Sequence, residues 1–206
     1  MVPYPWPKRL VDRLLAAVLL ALLAPVAITV LVAVALDMLL VPRDRGPVLY
    51  REPRISRGRP FGLLKFRTLR AEVLRRSGGH ARLLEADPAN LTWAGRRVLK
   101  PWYLDELPQL LNVVRGDISL VGPRPWPPEL VDAQVAEGDD YRRLVVAGLT
   151  GPAQVTKGAE GVRYRDLDLA YVEACRTLGG WALVRHDLGI LGRTLALLAR
   201  GEGLNY

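Results

Sequence analysis

Residues Tyr103 to Pro125 read YLDELPQLLNVVRGDISLVGPRP, and this stretch sets the expectation for the rest. Leu104, Leu107, Leu110, Leu111 and Val114 recur at helical spacing, with Pro108 in the first turn, where its missing N–H does no harm. Gly116 is a stop signal, and Asp117 to Val121 continues as a short apolar strand. The strand ends in Gly122-Pro123-Arg124-Pro125, where two prolines fix the backbone around one guanidinium. Arg124 is thereby a candidate phosphate fork, although a loop arginine is also ordinary surface. Asp105 and Glu106 stand at the head of the helix. Carboxylates complement the helix dipole there, so a solvated cap and a reactive pair are both open readings.

Downstream, Gly148-Leu149-Thr150-Gly151-Pro152-Ala153-Gln154-Val155 is a glycine-bearing turn whose free backbone N–H groups suit an anion. Two helical patterns split at Gly179-Gly180 complete the chain. The second sets Trp181, Leu183, Val184, Leu188, Leu191, Leu195 and Leu198 opposite Arg185, Arg193 and Arg200. Such a helix suits either a membrane surface or a protein core.

Upstream, GPVLYRE and PFGLLKFRTL read as two short strands joined by the polar turn PRISRGR. Alternation puts Leu64 and Phe66 on one face and Lys65 and Arg67 on the other, so two cations are expected to project together. Ala71 to Leu84 reads as a helix interrupted at Ser77-Gly78-Gly79, followed by the loop ADPAN.

Leu14 to Leu36 is 23 residues without a charge, about 35 Å as straight helix and long enough to cross a bilayer. The apolar run exceeds that of a usual signal peptide, and the chain turns Arg-rich just beyond it. Pro25 removes a backbone donor near the centre and is expected to break the helix, leaving halves of about 16 Å each. Both flanks are basic, so a segment that enters and leaves on one face satisfies the positive-inside tendency at both ends. A kinked span stays open beside it. Asp37 is expected at the headgroup level.

The chain has 206 residues, 50% of them hydrophobic, and a formal charge of +8. One core plus an appendage is expected: residues 1–41 as a membrane-associated segment and 42–206 as the catalytic domain. The fold class is α+β, mostly helical with a short β-hairpin. A single cysteine, Cys175, excludes an intramolecular disulfide, and two histidines, His80 and His186, leave little material for histidine triads or zinc sites. Arg43 to Arg70 holds nine Lys/Arg against Asp44 and Glu52, which implies an anionic partner. No recognition-helix, RNP or finger motif accompanies that charge, which sets nucleic acid aside.

Taken together, the stretches KRLVDRLLAAVLLALLAPV, PVLYRE, GRPFGLLKFRTL, LDELPQLLNVVRGDISLVGPRP, GLTGPAQV and DLDLAYV resemble the monotopic phosphoglycosyl transferases, bacterial sugar transferases that begin assembly of lipid-linked glycans. The resemblance covers nearly the whole chain, in the small single-domain form. It implies a protein of the bacterial cytoplasmic membrane, with its catalytic domain on the cytoplasmic face. The implied reaction moves a sugar phosphate from a nucleoside diphosphate sugar, usually a UDP-sugar, onto polyprenyl phosphate with Mg2+, and releases UMP. Asp105 would then be the nucleophile that forms a covalent phosphosugar intermediate and a ligand of the metal. Glu106 would serve as base or position the metal. Lys65, Arg67, Lys100, Arg124, Thr150, Gly151 and Gln154 would bind substrate. Membrane lipids are expected partners, and homo-oligomerisation stays open. Three departures from the family pattern stand out: Lys100 replaces an arginine, the glycine turn lacks the arginine, first proline and tryptophan of RPGITGWAQV, and Ala24 replaces the serine before Pro25.

Overall fold

A computed structural model describes residues 1–76, 84–156 and 161–200. The interruption expected at Ser77-Gly78-Gly79, and His80 beside it, lie outside the described residues. In chain order the elements are α1 (Trp6–Leu22), α2 (Ala24–Leu40), β1 (Leu49–Ser56), β2 (Arg59–Phe66), α3 (Ala71–Arg76), α4 (Gln109–Arg115), β3 (Ser119–Val121), α5 (Pro128–Ala136), α6 (Tyr141–Leu144), β4 (Gly148–Thr150), α7 (Pro152–Val155), α8 (Tyr164–Thr177) and α9 (Gly180–Ala199). The chain is mostly helical with one short antiparallel hairpin, in keeping with an α+β class.

The expected break is present. Leu23 N–H still bonds Leu19 O at 2.8 Å, but Pro25 brings no N–H, and α2 starts again from Leu23 O, which accepts from Ala27 N at 2.9 Å. The two helices are bent by 58°. Among the described residues no single helix is long and apolar enough to cross a membrane, whereas α1 and α2 meet that test together by length and composition. Leu10, Leu14, Val18 and Leu22 are all exposed and four residues apart, which makes an apolar stripe along α1. The hairpin also forms, with β1 running on through Ser56 into the expected turn, β2 ending early at Phe66, and a tighter turn than expected. Its turn is Arg57-Gly58, both with positive φ, the conformation that two-residue hairpin loops need.

Tertiary contacts divide the chain otherwise than at residue 41. One compact unit comprises Met1–Ala17, Pro53–Gly62 and Asn112–Tyr206; the other comprises Val18–Glu52 and Leu63–Leu111.

In the first unit β3 and β4 pair in parallel, Ser119 opposite Gly148 and Val121 opposite Thr150. The first three residues of the expected glycine turn, Gly148–Thr150, thus form a strand, recruited by pairing between positions 29 apart in sequence, which periodicity cannot reveal. All three residues of β3 are buried. A buried ionic group ties α1 to this strand and to α9: Lys8 Nζ donates to Asp187 Oδ2 at 2.5 Å and to Val121 O at 3.2 Å, while Ser119 Oγ donates to Asp12 Oδ2 at 2.7 Å. On α9, Leu183, Val184, Asp187 and Ile190 are buried, and Trp181, Leu188, Leu195 and Leu198 are exposed. The helix therefore carries both features the sequence left open: a packed strip, and a separate apolar strip facing outward.

In the second unit Val30 and Val34 of α2 pack with Phe66 of β2, Ala94 and Leu99, and Met38, Val48, Leu104 and Leu107 close around them. Asp37 is 4% exposed, and its Oδ2 accepts from Ala94 N at 3.0 Å. Beside the headgroup level expected of it, this carboxylate has a structural role. A buried backbone N–H needs an acceptor, and α2 supplies it.

Candidate active site

Asp105 lies in a 3-10 turn, Leu104–Glu106, and not on the helix it was expected to head, because α4 begins only at Gln109. Pro108 contributes to the offset: Leu107 N–H closes the 3-10 turn on Leu104 O at 3.3 Å, and Pro108 has no N–H with which to extend an α ladder to the same carbonyl. Just upstream, Tyr103 has φ 53° and ψ 25°, a left-handed conformation uncommon outside glycine and asparagine. This residue separates the 3-10 turn Lys100–Trp102 from the turn of Asp105. Across it, Lys100 Nζ comes within 3.3 Å of Asp105 Oδ2.

The carboxylate of Asp105 is 2% exposed, and its Oδ1 has no hydrogen-bond partner among the described residues. A buried acceptor left open in this way is costly unless something binds it. The dipole-cap reading of Asp105 requires a solvated carboxylate, and this one is not solvated. Burial pushes its pKa up to about 6; Lys100 and Lys65 pull it down, and Glu106 and Glu85 push it further up. Lys100 also contacts Glu85 Oε2 at 2.5 Å. Burial lowers its pKa, but the Asp105 and Glu85 carboxylates outweigh burial and leave it above the ordinary value. Lys65 stands 3.1 Å from Glu52 Oε2.

The second unit thus gathers four predicted residues, Asp105, Glu106, Lys100 and Lys65. Arg67, the fifth candidate there, takes another role. It is 3% exposed, and its guanidinium donates to Pro47 O at 2.7 Å, Leu69 O at 2.8 Å and Asp44 O at 2.5 Å. It closes the loops around β2 and does not project beside Lys65, because β2 ends at Phe66 and strict alternation ends with it. Sequence reasoning passed over Glu85, which positions Lys100 and accepts from Thr68 Oγ1 at 2.7 Å. Nothing in the ADPAN region marks it. Gln109 was also passed over: it is buried, and its Nε2 has no acceptor among the described residues. Its place in the quoted DELPQ run was the available signal.

The other candidates belong to the first unit. Gly151 lies so close to Gly122 that a Cβ there would stand 2.3 Å from Gly122 O, which brings the glycine turn against the Gly-Pro-Arg-Pro loop. Thr150 Oγ1 and Thr194 Oγ1 share a hydrogen bond of 2.9 Å, and the Gln154 amide has no partner among the described residues. Arg142, also passed over, braces the loop. It donates to Arg124 O at 2.7 Å and to Asp168 Oδ2 at 2.8 Å, and its guanidinium stacks 3.9 Å from the Trp126 ring centroid.

For a divalent cation, no three His, Cys, Asp or Glu side chains converge among the described residues. A dedicated protein cage is therefore absent from them. One open carboxylate oxygen beside further acidic groups does fit Mg2+, which keeps several waters and is commonly held by one or two carboxylates plus substrate phosphates.

Residues 4–201 match the family model described as bacterial sugar transferase. The chain is 37% identical over 201 residues to the UDP-glucose:undecaprenyl-phosphate glucose-1-phosphate transferase of Caulobacter vibrioides, covering 93% of this chain and 69% of that protein. It is 36% identical to the uncharacterized sugar transferase EpsL of Bacillus subtilis, covering 96% and 89%. With the undecaprenyl-phosphate galactose phosphotransferase of Salmonella typhimurium the identity is 34%, over 79% of this chain and 36% of that protein. Such a match, running along nearly the whole sequence, makes this chain a member of the bacterial sugar transferase family.

Proposed function

We propose that this protein transfers a sugar phosphate from a UDP-sugar to polyprenyl phosphate through a covalent intermediate on Asp105. The observation that carries the reading is the buried Asp105 carboxylate, one oxygen held by Lys100 and the other open. The relatives' names supply the substrate classes. In the first step an Asp105 oxygen forms a bond to the β-phosphorus, and the bond from that phosphorus to the bridging oxygen breaks. UMP leaves with the electron pair. In the second step an oxygen of polyprenyl phosphate attacks the same phosphorus, the aspartyl–phosphorus bond breaks, and Asp105 is regenerated. Mg2+, held at Asp105 with Glu106 nearby, would supply charge neutralisation of the phosphates. Lys100 holds the nucleophile in orientation and, with Lys65, offsets the repulsion between a carboxylate and an anionic diphosphate. Glu106 is assigned to take a proton from the incoming lipid phosphate or to position the metal. Arg124, on its rigid loop, is assigned to the diphosphate, and the Thr150-to-Gln154 turn to the remainder of the nucleotide sugar.

Incubation with a UDP-sugar alone is expected to give an Asp105-linked phosphosugar mass increase and one equivalent of UMP. Asp105→Asn is expected to abolish both. UMP release that appears only when lipid is added, with no adduct trapped, would favour direct attack by the lipid phosphate. Full function in Asp105→Asn would instead indicate a non-catalytic basic membrane protein.

The bent α1–α2 pair is proposed to enter and leave the bacterial cytoplasmic membrane on its cytoplasmic face. The 58° bend and the basic flanks support re-entry. A cysteine placed at Pro3, exposed beside the buried Val2, should label only from the cytoplasmic side, and exclusive labelling from outside would replace re-entry with a span.

A further inference from the structure

The second unit has an open groove of about 470 Å³ lined by Val26, Arg97, Val98, Trp102 and Leu104. Four of these five side chains are apolar. They come from two stretches: Val26 from the first turn of α2, beside Pro25, and the rest from the segment that delivers Lys100 and Asp105. Trp102 is 71% exposed. An indole left open beside an apolar trough marks a contact surface, and tryptophan favours the boundary between hydrocarbon and headgroups.

Arg97 is the one charged group on the wall. It makes no ion pair or hydrogen bond among the described residues. Three residues later comes Lys100, whose ammonium touches Asp105. An apolar trough with a single unengaged guanidinium is complementary to an anionic amphiphile, with a long hydrocarbon chain and a phosphate head. Leu104, one of the lining residues, is peptide-bonded to Asp105.

We propose that this groove seats the isoprenoid chain of the acceptor lipid, with Arg97 engaging its phosphate as it arrives. The inference rests on the transferase reading above. The lipid phosphate must reach phosphorus carried on Asp105, so the first isoprene units must lie against whatever apolar surface flanks that turn. The groove is that surface, and it runs back to Val26 in the segment proposed to sit in the bilayer. The acceptor would then slide from the membrane along α2 to the reaction centre without exposing its chain to water. Ordinary phospholipid also has an anionic head, but its two acyl chains on glycerol have no reason to align with the Asp105 turn.

The test is photolabelling of the full chain in nanodiscs of phosphatidylethanolamine and phosphatidylglycerol, with a polyprenyl phosphate bearing a diazirine near its phosphate end. Label is expected within residues 98–104, displaced by unlabelled polyprenyl phosphate and retained under excess phosphatidylglycerol. Label elsewhere, or equal displacement by phosphatidylglycerol, overturns the proposal. In turnover assays Trp102→Ala and Arg97→Gln should each raise KM for polyprenyl phosphate by about tenfold and leave KM for the UDP-sugar nearly unmoved. If neither constant moves, the groove is not the lipid seat. Labelling needs no turnover, so a protein that labels as described yet releases no UMP would count against the transfer reaction and leave the groove standing.

Discussion

At the scale of single residues, the proposed chemistry depends on how a buried carboxylate is kept ionised. With Asp105 as the proposed nucleophile, only its ionised form would attack phosphorus, and burial raises its pKa to about 6. Below that value the protonated form dominates, so kcat/KM for adduct formation from a UDP-sugar should fall by about tenfold per pH unit and level off above about pH 7. Lys100 lowers this pKa, so Lys100→Met should move the midpoint of the profile upward and reduce the plateau. A profile that is flat from pH 5 to 8, or a midpoint that moves downward in the variant, would contradict this assignment. A cation at Lys100 was legible because it stands where the family pattern carries an arginine, whereas its pairing with Asp105 is seen only in the structure. Its counter-ion Glu85 was not legible, because the contact joins positions 15 residues apart without a shared period. Arg67 shows the converse: a cation in a recognised motif whose guanidinium is committed to three backbone carbonyls.

At the scale of elements, short-range signals survived and long-range ones did not. The Pro25 break, the hairpin and the split at Gly179-Gly180 all follow from local backbone chemistry, and all three are present. The β3–β4 pair was illegible because three-residue strands carry no usable alternation. The π-helical stretch Gly95–Leu99 was illegible for a related reason: π-turns depend on tertiary fit and not on a residue period. Gly95 supplies that fit. A Cβ there would stand 2.4 Å from Thr68 O, an oxygen already accepting from Thr92 N at 2.8 Å. Backbone cannot yield cheaply at that distance, so the π-turn and the strand end must separate. Gly95→Ala is therefore expected to destabilise the protein by about 1–3 kcal/mol and to lower kcat/KM by displacing Lys100 five residues on. Chemical denaturation with the adduct assay checks both, and unchanged values in each would show that the close approach is not enforced.

At the scale of the whole molecule, the apolar N-terminal run is also part of the packed fold, beside the membrane attachment proposed for it. The expected boundary at residue 41 follows from composition, which registers where hydrophobic sequence ends and charge begins but not which side chains of an apolar helix are buried in protein. In the second unit Val30 and Val34 of α2 sit in the core with Phe66 and Leu99, and Asp37 satisfies Ala94 N. In the first unit Lys8 and Asp12 of α1 hold β3 and α9. Burying each valine is worth about 1.5–3 kcal/mol, and leaving the buried Ala94 N–H without Asp37 costs about 1–3 kcal/mol. Lys8 matters further: without it Asp187 is a buried carboxylate that has lost its cation, a change costing about 3–5 kcal/mol. These losses together rival the roughly 5–15 kcal/mol by which a domain is stable at all. A fragment of residues 42–206 should consequently lack a cooperative thermal transition even in detergent, whereas the full chain should show one. Recovery of the transition when a peptide of residues 1–41 is added back would locate the loss in those packing contacts. A fragment that melts cooperatively without the peptide would show instead that α1 and α2 contribute attachment alone.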